Sequence, residues 1–575
     1  MTHSTLPRQD RRNLPGIDFD VDFDALDTDD FSPGMMQCDA GFLPLQQLHY
    51  SVRIAGLTVH TIVKQTFYNP FDEAIQAKYI FPLAIDSAVT ACDMLVDGRV
   101  VSAKLKERGE ARREYQRAID SGRTAALLEE NRPETFSMTV GNVAAGEAIQ
   151  TRIETIAPIL VSDGQWALRL PLVIAPRYTS GIAIPGPSVG TGFQGDTQRV
   201  PDASMVSPPT LLPGCRNPVH LSIDVDMQFN DACLPVQAPQ LAGGENGEID
   251  LAAWIQCSLH SLSVSETGHG VRMSILPGQR VDRDFILRGQ VDPRAIHLRS
   301  HCESDTHHDN AESDTQTVAI TLTAPTTASS TPRKIAFVLD RSGSMGGWKM
   351  REAILGTKRL IETLHQHDHF QLLAFDNSLE SPPNRRFKNI ETDGWIPASS
   401  GNKSAAIAWL NGIGARGGTE MEMALNAALQ CFANRSSRSH PQPSHPSKRD
   451  ANAIVLITDG HVTGEDAVLQ TLHSLPESNR PRLFALGIDR AVNASVLRRL
   501  SDATGGMSEL VESQPRMRDV IDTFSSKIGA PMLTDFALTD STGRQLDESL
   551  VVAPPLEEKV SMTSRIRGWD STNSD

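Results

Sequence analysis

The chain has 575 residues, with 70 Asp or Glu against 54 Lys or Arg and a formal net charge of −16. That balance disfavours non-specific binding to nucleic acid or anionic lipid, and suits cations or basic partners. At roughly 100–200 residues per domain the length predicts about three folded units.

Residues 1–38 read as a disordered acidic tail, since Gly16 to Asp30 carries seven Asp and no basic residue. Phe19, Phe23 and Leu26 interleave with the acids, as in segments that dock on a partner. The basic N-terminus is followed by no apolar run, so no secretory signal is expected. No apolar run approaches the ~18–20 residues of a spanning helix. Seven Cys are scattered at 38, 92, 215, 233, 257, 302 and 431, without a CxxC pair. Reduced thiols in a cytoplasmic protein are expected, or a periplasmic or extracellular one if the true start lies upstream.

From Gln46 the pattern turns to period two in LHYSVRIAGLTVHTIVKQTFYNP, rich in β-branched and aromatic residues. AKYIFPL and TACDMLVDGRVVSAKL predict further strands, the latter a hairpin turning at Asp97-Gly98. KERGEARREYQRAIDSG predicts one helix, and TFSMTVGN, AIQTRIETIAPIL and WALRLPLVI return to strand. A β-sandwich-like domain with one inserted helix is expected over 39–178. Residues 179–332 begin with a Gly/Pro-rich loop and continue with strands such as HLSIDVDMQF, GVRMSIL and RDFILRG, which predict a second β unit over about 216–325. Within it, 297–316 is a polar His/acid tract. His301, Cys302, His307 and His308 offer metal-binding atoms, but no ligand spacing recurs, and a polar insertion between strands is the expectation.

After Pro332 strands and helices alternate. KIAFVLD, HFQLLAFD, ANAIVLITD and RLFALGID are buried parallel-type strands, separated by amphipathic helices such as KMREAILGTKRLIETL and EMEMALNAALQCFA. This predicts an α/β doubly wound, mostly parallel sheet over 333–530, interrupted by a basic Pro/Ser/His-rich loop at 434–450 and followed by a tail over 531–575.

Three loops of this unit lie at one sheet edge. Asp340-Arg-Ser342-Gly-Ser344 follows the first strand, Gly417-Gly418-Thr419 opens a helix, and Asp459-Gly460 follows ANAIVLIT. Ligands of open parallel sheets bind outside the strand carboxyl ends. A hard dication such as Mg²⁺, or Mn²⁺ or Ca²⁺, takes oxygen ligands. Ser342, Ser344 and Thr419 supply hydroxyls, while Asp340 and Asp459 supply charge and orient hydroxyls and waters. Few direct carboxylates leave room for an oxygen from outside, best an Asp or Glu of a partner protein.

Asp-x-Ser-Gly-Ser, Gly-Gly-Thr and Thr-Asp-Gly, in this order, resemble the metal-ion-dependent adhesion site of von Willebrand factor A (VWA) domains over about 333–530. Upstream, TFYNP, YIFPL, EYQRAIDSGRTAALLEE, ENRPETFSMTVGNVAAGE and LPLVIAPRY resemble the vault protein inter-alpha-trypsin (VIT) domain. The order of the two resembles inter-alpha-trypsin inhibitor heavy chains and their bacterial relatives. The resemblance implies a metal-dependent, non-enzymatic protein-binding or adhesion module with Asp340, Ser342, Ser344, Thr419 and Asp459 at the metal. It departs at Asp292-Pro293, which precedes the metal domain rather than forming the processed C-terminal junction of those heavy chains.

Two alternatives remain: a scaffold or assembly factor whose metal is structural, and a metal-dependent hydrolase, for which His461 is the nearest general-base candidate. Gly412-Ile-Gly414-Ala-Arg-Gly417 matches GxGxxG but follows a helix rather than a strand, which removes the dinucleotide reading.

Overall fold

The computed structural model describes residues 36–208, 219–228, 255–290, 300–304, 316–320, 332–433, 452–460, 465–475, 480–528, 538–539 and 564–565, less 40, 44, 56–57, 97–98, 163–164, 175–178, 180, 187, 191, 193, 268–269 and 392–393. The acidic segment, His307, His308, the 434–450 loop and His461 lie outside the described residues. By contact the chain divides into two units, one of residues up to Asp292 with Arg490–Ser495, the other of the remainder.

The first unit opens with strands β1 (Met36–Cys38), β2 (Gly41–Leu43), β3 (Gln47–Ala55), β4 (Thr58–Tyr68), β5 (Ile75–Pro82), β6 (Ala88–Val96) and β7 (Arg99–Ser102). Helix α1 (Arg108–Asp120) precedes β8 (Ala125–Arg132), β9 (Thr135–Val143), β10 (Ala148–Pro158), β11 (Leu160–Ser162) and β12 (Gln165–Leu170). A single helical turn, α2 (Ala203–Val206), is followed by β13 (His220–Gln228), β14 (Ile255–Cys257), β15 (Leu262–Thr267), β16 (Gly270–Ile275) and β17 (Phe285–Gln290). They form sheets of order β2-β1-β5-β9-β8, β15-β16-β13-β3-β4-β10-β6-β7 and β11-β12-β17-β14.

Period two shows directly in β4, where Val59, Thr61, Val63, Gln65 and Phe67 point inward and the residues between them outward. β6 and β7 pair antiparallel with Val96 opposite Arg99, as the expected hairpin requires, while its turn residues Asp97 and Gly98 lie outside the described residues. The predicted helix is α1, capped by the Glu107 carboxylate, which accepts from the amides of Gly109 and Glu110. Buried Asn69, in the TFYNP run, ties a loop together: its amide donates to the carbonyls of Glu73, Val143 and Ala144, and its oxygen accepts from Phe71 N–H.

The second β unit expected over 216–325 is not separate in its described strands up to Gln290. β13 lies parallel to β3 in the large sheet, and β14 and β17 join β12. Leu221, Ile223, Val225 and Met227 of β13 enter the same apolar core as Leu48, Tyr50, Val52 and Ile54 of β3. A strand that is apolar on one face needs a face to cover. Here it completes an existing sheet about 170 residues back in the chain, as the pairing of Ile223 with Tyr50 shows.

One buried ionic cluster belongs to this unit. Arg169 donates to both Glu134 (2.6 Å) and Asp284 (2.8 Å), and all three side chains are largely buried. Burial pushes the Asp284 carboxyl up to about 6, an effect that the Arg169 charge offsets only in part and the second carboxylate, Glu134, reinforces.

The second unit holds β18 (Ser300–Ser304) paired antiparallel with β19 (Gln316–Ile320). The polar tract expected between strands therefore starts on one, with His301 opposite Ala319 and Cys302 opposite Val318. The main sheet follows: β20 (Lys334–Asp340), α3 (Trp348–Thr363), β21 (His369–Phe375), β22 (Leu379–Glu380), β23 (Ile396–Pro397), α4 (Ser400–Leu410), α5 (Met421–Ala433), β24 (Asn452–Thr458), α6 (Glu465–Ser474), β25 (Arg482–Ile488), α7 (Ala494–Asp502), β26 (Met507–Val511) and α8 (Gln514–Lys527). Its order is β22-β21-β20-β24-β25-β26, with β23 also on β21, and the pairs β21-β20-β24-β25-β26 are parallel. Every residue of β24 and β25 is buried, as expected for strands covered on both faces. In the tail, β27 (Leu538–Thr539) pairs with β28 (Ser564–Arg565). The chain is thus a β-rich unit followed by an α/β doubly wound one.

Replacing Arg169 with Met should cost about 3–5 kcal/mol at neutral pH, because two carboxylates are left buried without a cation. Asp284, already raised to about 6 by burial, would lose the Arg169 charge that offsets it, so its contribution is favourable below the unfolded value near 4 and is lost as pH rises. Urea unfolding of the variant should show a smaller deficit at pH 5 than at pH 8.

Candidate metal centre

The parallel strands end in acids. Asp376 follows β21, Asp340 ends β20, Asp459 follows β24 and Asp489 follows β25, so the strand order sets four aspartates in a row along one sheet edge. All four are buried, with exposures of 4, 0, 0 and 4%. The chain passes from β20 to β21 on one side and later returns to β24 on the other side of β20. The gap between Asp340 and Asp459 is therefore the switch point of the sheet, where open α/β folds place ligands.

Asp340 is oriented by neutral donors. One oxygen accepts from Ser342 N–H (2.8 Å) and the other from the Thr458 hydroxyl (2.7 Å), which itself accepts from Gly460 N–H (3.1 Å). Burial, then the adjacent Asp459 charge, push the Asp340 carboxyl up to about 7, against the pull of these hydrogen bonds. Ser342 and Ser344 flank the start of a short 3₁₀ turn, Gly343–Met345, with their hydroxyl oxygens 3.1 Å apart. Asp459 accepts from the buried Lys349 ammonium of α3 at 3.3 Å, and the same nitrogen is 2.9 Å from Asp489.

The Gly-Gly-Thr loop is pinned to its neighbours by backbone. Gly343 N–H donates to Gly417 O (3.0 Å), Gly418 N–H to the Asn377 side chain (3.0 Å), and Glu420 N–H to Asp376 O (3.0 Å). Thr419, buried, sits between the last two anchors. Gly417 has φ +72°, a conformation that favours glycine, and a Cβ there would lie 3.2 Å from Asp376 Cβ, a tight approach that the aspartate would have to yield to. The structure thus brings the loops of Asp340, Ser342, Ser344, Thr419 and Asp459 to one edge, on the elements the sequence assigned them to.

Sequence reasoning missed Asp376, Asp489 and Lys349. The signal was present: HFQLLAFD and RLFALGID each end a buried apolar run with Asp, as KIAFVLD does. Asp376 ion-pairs Arg341 (3.1 Å) and Arg416 (2.8 Å), while Arg341 also reaches Glu380 (2.6 Å). Burial alone raises the Asp376 carboxyl. Hydrogen bonds from Arg416 and Ser378, with the Arg341 charge, outweigh it and hold the group at about 2. Asn402, which heads a glycan-type Asn-Lys-Ser triplet, is buried and spends its amide on Lys388 and Pro397.

The donors fit a hard dication. Among the described residues no three His, Cys, Asp or Glu side chains cluster as a cage. What the edge offers instead is two adjacent buried carboxylates and three hydroxyls, an all-oxygen set with few direct charges.

Residues 45–155 match the vault protein inter-alpha-trypsin domain, and residues 334–522 the von Willebrand factor type A domain. The chain is 22% identical over 501 residues to the human protein mono-ADP-ribosyltransferase PARP4, spanning 86% of this chain and 25% of that one. It is 23% identical over 516 residues to human von Willebrand factor A domain-containing protein 5A (86% and 58%). To bovine inter-alpha-trypsin inhibitor heavy chain H4 it is 21% identical over 512 residues (86% and 47%). The chain therefore spans between a quarter and three-fifths of the length of these relatives.

Asp376 should be a stability residue of this edge. Asp376→Asn leaves the buried Arg341 with half its counter-charge and should cost about 3 kcal/mol in EDTA. A depressed carboxylate contributes above its unfolded pKa near 4 and loses that contribution as pH falls through about 2. The gap between wild type and variant in chemical unfolding should be flat from pH 5 to 8 and close below pH 4.

Proposed function

We propose that this chain, which carries a VIT domain and a VWA domain, is a divalent-cation-dependent protein-binding module. Asp340, Ser342, Ser344, Thr419 and Asp459 would hold Mg²⁺, or Mn²⁺ or Ca²⁺, and the partner would contribute an Asp or Glu carboxylate. The observation that carries this is the pair of adjacent buried carboxylates, Asp340 and Asp459, set beside serine hydroxyls at the switch point of the sheet.

The residues divide the work. Thr458 and the Ser342 amide fix the Asp340 carboxylate, so its oxygens are aimed without cost at the moment of binding. The Gly343–Gly417 backbone bond holds the serine and threonine loops together. Ser344 is only partly buried, as a hydroxyl that meets a partner would have to be. A bound dication supplies an electrophilic centre for an external carboxylate, and mostly neutral ligands leave it that character. A binding role also agrees with the match to an inhibitor heavy chain. The activity in the name of the ADP-ribosyltransferase belongs to that protein, of which this chain matches a quarter.

Calorimetric titration of EDTA-stripped protein with MgCl₂ should give one site per chain. Asp340→Ala and Thr419→Ala should weaken it at least about tenfold with unchanged circular dichroism, a loss of ~1.4 kcal/mol or more. An immobilised chain should then retain acidic peptides in Mg²⁺ and release them in EDTA. A lower melting temperature in EDTA with peptide retention intact would favour a purely structural ion, and absence of any Mg²⁺ heat would reject the proposal.

A further inference from the structure

The Lys349 ammonium lies where a bound dication needs negative charge. It is nearly fully buried, projects from α3, and sits 3.3 Å from Asp459 and 2.9 Å from Asp489. Of the four edge aspartates, Asp376 is matched by two arginines, and Asp340 by neutral donors. Asp459 alone is a candidate ion ligand that also holds an internal cation.

We infer that Lys349 is a built-in counter-ion that shares Asp459 with the incoming dication and thereby sets the affinity of the site. This rests on the ion-binding reading above and deepens it. Without a dication the ammonium keeps Asp459 compensated inside the protein, where an unpaired carboxylate is costly. When a dication arrives, Asp489 is the acceptor that keeps Lys349 paired, already at the shorter distance. Two cationic centres beside one carboxylate repel in a poorly screened interior. The dication is therefore held weakly by the chain alone, and a partner's carboxylate makes up the missing negative charge. Cation binding and partner binding become mutually dependent.

The charges can be separated experimentally. In Lys349→Met/Asp489→Asn one charge of each sign is removed, so the net charge of the chain is unchanged while Asp459 loses its competitor. Calorimetry with MgCl₂ should show binding about tenfold tighter than wild type, and the melting temperature should rise more on adding Mg²⁺ than in wild type. Asp489→Asn alone confines the ammonium to Asp459 and should bind Mg²⁺ several-fold more weakly, which keeps the test open if a Lys349 variant folds poorly. Wild-type binding together with equal or weaker binding by the double variant, or unchanged binding by Asp489→Asn, overturns the inference and leaves Lys349 a structural pillar. A wild type that takes up no Mg²⁺ rejects the ion-binding reading itself, on which this inference stands.

Discussion

Four buried carboxylates at the ends of four adjacent parallel strands are the constraint around which the α/β unit is arranged. A parallel sheet aligns its strand ends, so Asp376, Asp340, Asp459 and Asp489 fall into one row by topology alone. Carboxylates so close and so poorly hydrated cannot all remain uncompensated. Each solution is different, and the differences define the site. Asp376 has permanent guanidinium partners, Asp489 shares an ammonium with Asp459, and Asp340 has only hydroxyl and amide donors. Negative charge is therefore least satisfied in the middle of the row, which is also the switch point of the sheet.

The loops convert that deficit into a shaped site. A hydroxyl on an unrestrained loop would lose much of its value as a ligand to the entropy of ordering. Here the threonine loop is fixed by three backbone amides, and the serine loop by its short turn and by Asp340. The ion pairs of Arg341 and Arg416 with Asp376 brace the same loops from the flank, with Arg341 directly following Asp340 and Arg416 directly preceding Gly417. Residues that bear no candidate ligand atom thus position those that do.

Much of this was legible in the sequence, for a physical reason. KIAFVLD, ANAIVLITD and RLFALGID are uniformly apolar because both faces of a parallel strand are covered, and so their ends locate the edge without coordinates. The spacing Asp340-x-Ser342-Gly-Ser344 is local, as are Gly417-Gly418-Thr419 and Thr458-Asp459-Gly460. What stayed hidden is non-local. Lys349 meets Asp459 and Asp489 across 110 and 140 residues, and on an amphipathic helix it reads as one more solvated lysine. The placing of β13 beside β3 was hidden likewise, because alternation predicts that a strand has a buried face and not which sheet supplies its neighbour.

The β-rich unit shows what a closed solution to the same electrostatic problem looks like. Arg169 bridges Glu134 and Asp284 with a planar fork that meets both carboxylates at once, and the loop that reaches the set does so through backbone, the Val492 carbonyl accepting from Arg169 and the Ser495 amide donating to Glu134. Such a cluster has its cation covalently in place and gains little from a visitor. At the α/β edge Lys349, which pairs with Asp459, is divided with Asp489, and a single ammonium on a flexible stem lacks the fixed fork of a guanidinium. The contrast lies in the cation. Arg169 meets two carboxylates with one planar fork, whereas Lys349 divides a single ammonium between Asp459 and Asp489 and leaves Asp340 to hydroxyl and amide donors.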